Sequence, residues 1–152
     1  MTNPSPKAQL SSFLAKYEPA VRAVARTALR KLGTAVPGSI QLVYDNYNAL
    51  AIGFSPTERA SDAVLSIAVY PRWVSLFFLQ AIGLPDPSGL LKGSGKKVRH
   101  IVLGSASDLD RPEIQALITA ALSRATVRFA PHALSRLVIK SISAKQRPRR
   151  PT

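Results

Sequence analysis

Glycines and cations crowd together in residues 93–100, which read Gly-Ser-Gly-Lys-Lys-Val-Arg-His. Gly93 and Gly95 have no side chain to obstruct the backbone, so the N–H groups around Ser94 are free to converge on an anion. Lys96, Lys97 and Arg99 add positive charge at the same place. The chemistry this permits is the holding of a phosphate or a carboxylate. It is not a Walker A loop. That pattern needs glycine where Leu90 stands and Ser or Thr where Lys97 stands. Alternation along a following strand puts Arg99 and His100 on opposite faces, so one of the two points toward a partly buried surface. A lone histidine such as His100 is more often a hydrogen-bonded structural group than an acid–base catalyst.

A second set is aromatic and polar: Tyr44, Asp45, Asn46, Tyr47, Tyr70, Arg72 and Trp73. Aromatics beside cations can stack a base or another planar ligand. Tyrosine and tryptophan at strand ends also cap a core with a wet polar tip, and both readings stay open here. Taken with the glycine loop, Tyr44, Tyr47 and Trp73 are expected to wall its anion site. Asp108, Asp110 and Glu113 form the one acidic cluster, and capping of the next helix explains their spacing better than a metal does. His100 and His132 are too isolated for zinc. There is no G-x-S-x-G elbow and no cysteine nucleophile. The expectation is a non-catalytic chain with no metal and no cofactor.

Charge is the strongest property of the whole chain. Its 152 residues carry 21 Lys and Arg against 8 Asp and Glu, a net charge of +13. No acid follows Glu113. Such a field attracts polyanions and acidic surfaces. Two basic features offer a nucleic-acid alternative. Arg22, Arg26 and Arg30 form a ridge on one helix face, and Arg147, Arg149 and Arg150 lie in a terminal tail. Such a ridge is more often simply the solvated side of an amphipathic helix. With no cysteine, no secretory leader and no apolar run long enough to span a bilayer, the expected setting is cytoplasmic and away from membrane.

The elements that must position these groups follow from apolar spacing. Leu10, Phe13, Leu14 and Tyr17 recur at i, i+3, i+4 and i+7, which predicts a helix from Pro6. Pro19 suits the first turn of a second helix, with Gly33 as its stop. Residues 40–44, 49–54, 64–70 and 74–78 read as strands joined by links too short for crossovers, hence antiparallel, and 98–103 as a fifth strand. Residues 84–95 are a Pro/Gly loop. Asp110-Arg111-Pro112-Glu113 resembles a capping box with Asp110 as the cap, ahead of a third helix. Residues 136–142 fit a strand or a helix, and we take the strand. Residues 1–5 are an expected disordered lead, 6–145 one domain, and 146–152 a basic Pro-rich tail, disordered unless it docks. The class is α+β: a single antiparallel sheet of five or six strands with helices on one face.

Three runs then carry a resemblance: VYDNYNALAIGFS at 43–55, YPRWVSLFF at 70–78 and GLPDPSGLLKGSGKKVRHIVL at 83–103. Across about residues 15 to 128 the chain resembles the YdhG-like family, domain of unknown function 1801. The resemblance implies a small bacterial antiparallel α+β domain with no assigned enzyme activity. Some relatives are described as frataxin-like iron chaperones, a role that wants clustered carboxylates. The resulting expectation is binding of a small anion or an acidic partner surface through Gly93, Ser94, Gly95, Lys96, Lys97, Arg99 and His100. Nucleic-acid binding and iron delivery are the alternatives.

Overall fold

The computed structural model describes residues 4–152. Three helices form where the apolar spacing places them: α1 (Pro6–Ala15), α2 (Pro19–Ala35) and α3 (Pro112–Ser123). Most of the expected lead, residues 1–3, lies outside the described residues, while Ser5 caps α1 by accepting a hydrogen bond from the Ala8 amide at 3.1 Å. Leu10, Phe13 and Leu14 of α1, Leu29 and Leu32 of α2, and Ile114, Leu117 and Ile118 of α3 are all buried in one core. Gly33 does not end α2, which continues for two more residues.

Six strands, β1 (Ile40–Asp45), β2 (Leu50–Ser55), β3 (Leu65–Val69), β4 (Val74–Phe78), β5 (Arg99–Leu103) and β6 (Arg136–Ile142), make one sheet. Their order is β5-β4-β3-β2-β1-β6. The first five form an antiparallel meander; short links require this for β1 to β4, whereas residues 79–98, which join β4 to β5, are long enough for a crossover the chain does not make. β6 departs from the all-antiparallel expectation, because it pairs parallel to β1. The chain reaches that far edge only after crossing through α3, and a long crossover permits parallel pairing. Residues 136–142 are thus a strand. Leu137 and Ile139 of β6 lean on the core.

Strand alternation gives the sheet two unlike faces. On one, Val43, Ile52, Ile67, Leu76 and Ile101 lie side by side across five strands and pack under the helices. On the other, rows such as Gly53–Ser66–Phe77–His100 and Ala51–Ala68–Ser75–Val102 set small residues beside larger ones. Ser66, Ala68 and Ser75 on this face are buried, and Ala63 lies against Gly53.

The core closes at one end around Tyr17, which is fully buried. Its hydroxyl donates to the Val69 carbonyl at 2.8 Å and accepts from the Leu50 amide at 3.3 Å, tying the end of α1 to two strands. Burial is the main reason its pKa is pushed up from 10.0 to about 12, with the Arg149 cation nearby pulling the other way. Below the ordinary value the phenol is neutral in both states and its contribution to stability is whole. As pH rises from 10.0 to about 12 the unfolded chain releases this proton and the folded chain keeps it, so the contribution is lost. Tyr17→Phe should therefore flatten the alkaline fall in the urea midpoint across that window. An unchanged slope would show that Tyr17 is not the group responsible.

The acidic cluster is arranged differently from the sequence expectation. The N-cap of α3 is Arg111, with Pro112 as its first residue, so Asp110 is not the cap. The capping box sits one turn earlier, where Ser105 and Asp108 satisfy each other's backbone amides. Asp110 instead pairs with Lys31 of α2 at 2.7 Å, and Glu113 pairs with Arg111 at 2.8 Å. Among the described residues no three His, Asp or Glu side chains gather as metal ligands, and no helix is long and apolar enough to cross a membrane.

Candidate ligand-binding site

Register decides which of the candidate residues can meet. Phe78 pairs with Arg99 at one end of β4, while Trp73 precedes Val74 at the other. Five residues of strand separate them, roughly 17 Å at about 3.3 Å per residue. The glycine loop therefore lies at one end of the sheet, and the 46–49 and 70–73 turns lie at the other. Trp73 and Tyr47 cannot wall an anion site built on Gly93, Ser94 and Gly95. Tyr44 belongs to neither hollow described below. Its hydroxyl is buried without a partner, and burial raises its pKa.

At the glycine-loop end the cations diverge. Lys92 and His100 exchange backbone hydrogen bonds at 2.7 and 3.0 Å, and Gly93 takes φ +113° to turn the chain between them. The Arg99 guanidinium is drawn back onto the Gly95 carbonyl. Lys96 and Arg99 line a hollow of about 380 Å³, but Asp86 lines it too. The Asp86 oxygens accept from the Leu90 and Leu91 amides at 2.9 Å each, which shapes the loop. Ser94 and Lys97 are exposed outside that hollow. His100 goes to the opposite face and stacks on Phe77 with ring centroids 5.1 Å apart.

At the other end the groups converge. The β3–β4 turn brings Tyr70 and Trp73 into a stack with centroids 4.7 Å apart and ring planes 18° from parallel. Trp73 is 42% exposed, so one side of the stack is available. The cleft beside it, about 710 Å³, is also lined by Arg72, Arg147 and Arg150, and no acidic residue lines it. Two of these arginines come from the tail, which sequence composition left as a disordered segment unless docked. It docks. The Arg147 amide donates to the Tyr47 carbonyl at 2.9 Å, and its guanidinium lies 5.6 Å from the Tyr47 ring centre. Arg150 donates to the Lys16 carbonyl at 3.0 Å and sits 3.6 Å from Glu18.

Arg149 is the anchor. It is 5% exposed and meets Asp45, 1% exposed, at 2.8 Å. It also donates to the carbonyls of Asn46 and Tyr47 and lies 5.9 Å from the Tyr17 ring centre. It is thus unavailable to an external anion, contrary to its place in the nucleic-acid alternative. Of the helix ridge, Arg22 reaches back to the Ala15 carbonyl and Arg26 to Ser11 of α1, each at 3.3 Å, while Arg30 is exposed. The cleft escaped sequence reasoning because Tyr70 and Arg147 lie far apart in the chain. The one signal was the repeated coincidence of aromatics and turn residues at strand ends.

These features define an α+β domain with an arginine-lined aromatic cleft at one end of its sheet. Compared with protein-family models, curated proteins and solved structures, the chain matches none.

Proposed function

We propose that the chain is a non-catalytic binding domain for an anionic ligand that carries a flat ring, with a mononucleotide as the simplest molecule having both. The ring stacks on the free side of the Tyr70–Trp73 pair, and Arg72, Arg147 and Arg150 face the charge. The observation that carries this reading is the meeting of an exposed aromatic stack and three arginines around one cleft that no Asp or Glu lines, with only Arg150 engaged by a carboxylate, that of Glu18 at 3.6 Å. The glycine loop is the weaker candidate, since Asp86 shares its hollow with Lys96 and Arg99. The YdhG-like resemblance is part of the same proposal, as it implies a small domain with no assigned reaction.

Trp73 is the single tryptophan in the chain, so its fluorescence reports on this cleft alone. Titration with UMP or AMP should quench it, while uridine should bind more weakly. Arg147→Ala should lower UMP affinity by roughly two- to fivefold, the range of an exposed ion contact. No response at millimolar nucleotide would end the proposal. Amide shifts confined to residues 93–100 would return the ligand to the glycine loop.

A further inference from the structure

We infer that the ligand class of this cleft is single-stranded nucleic acid, whose bases continue from the Tyr70–Trp73 stack through a second hollow on the sheet face to Phe77. The inference rests on the proposed function and extends it. A second hollow of about 550 Å³ adjoins the cleft, and the two share Asn48 and Tyr70. Ala51, Ser66 and Ala68 help form its floor, with Tyr47 and Phe77 at its sides. Trp73, Ser75 and Phe77 alternate onto one face, so Trp73 and Phe77 stand roughly 13 Å apart along the strand at about 3.3 Å per residue.

A single nucleotide would occupy the first hollow and leave the second empty. Two or three unpaired bases suit the pair, as on other open sheets that carry surface aromatics. Small floor residues let a base approach the backbone, and the Tyr47 ring already holds the Arg147 guanidinium between the hollows. No Asp or Glu side chain lines either hollow, and the chain carries +13. A duplex keeps its bases paired and would leave the aromatics without partners. An acidic peptide would satisfy the arginines and leave the rings unused.

The test measures anisotropy of a labelled ten-nucleotide oligo(U) on the full chain, with UMP quenching of Trp73 run in parallel. Oligo(U) should bind at least about tenfold more tightly than UMP, because further bases stack. Its log K against log salt should fall with a slope near −2, about −0.7 for each of three arginines on phosphate. Phe77→Leu keeps apolar bulk but removes the ring. It should cost oligo(U) roughly tenfold and leave UMP quenching unchanged. If UMP binds and oligo(U) gains nothing, or if Phe77→Leu is silent, this inference falls and the cleft proposal stands. Equal binding of a blunt duplex, or displacement by polyglutamate at equal charge, would likewise overturn it. If UMP leaves Trp73 unquenched, the underlying proposal fails.

Discussion

Arg149→Ala should destabilise the fold by about 3–5 kcal/mol, the usual cost of breaking a buried ion pair by removing one partner. The carboxylate of Asp45 would stay buried with its cation gone, and the Asn46 and Tyr47 carbonyls would lose a donor. The pair uses one oxygen and one nitrogen, and Asp45 Oδ2 and Arg149 Nε have no partner. Its net worth against an apolar replacement is therefore small, and the double change Asp45→Leu with Arg149→Met should recover much of the loss. Urea unfolding of the two variants beside the parent checks both statements. A single variant as stable as the parent would mean that the tail is not anchored through this pair. The cleft adds a second readout. With Arg149 gone, Arg147 and Arg150 lose their seat, so UMP quenching of Trp73 should weaken further than with Arg147→Ala alone.

Gly38→Ala should cost about 2–5 kcal/mol, from left-handed backbone strain of about 1–2 kcal/mol and overpacking of about 1–3 kcal/mol. Gly38 has φ +77°, and a Cβ there would lie 1.9 Å from the Ala130 carbonyl oxygen. That obstacle is main chain, so no side-chain rotation relieves it. Residues 124–135 carry the chain from α3 to β6, and they would have to lift away from the end of α2. Gly89 supplies the control. Its φ is +64°, but a Cβ there meets nothing within 4 Å. Gly89→Ala should therefore cost only about 1–2 kcal/mol, the backbone term alone. Equal melting temperatures for the two variants would show that the Gly38–Ala130 approach is not tight.

The misplaced features share a cause. Asp110 reads as a cap by spacing, yet Pro112 opens α3 one residue after Arg111, and Lys31 from a distant helix takes the carboxylate. The tail reads as a solvated basic segment because nothing near it in sequence could bury an arginine. Asp45, about a hundred residues earlier, does so. Tyr47 and Trp73 were grouped with Gly93–His100 by composition, and the β4–β5 register sends them to opposite ends.

Local periodicity was enough for the helices, the meander and the α+β class, because apolar spacing of 3.6 or 2 residues must face one core whatever the rest of the chain does. The parallel edge strand, the buried Asp45–Arg149 pair and the arginine-lined cleft came only with tertiary structure. Each joins residues tens to a hundred positions apart, and such pairings are set by strand register and chain crossover, which leave no mark on neighbouring residues.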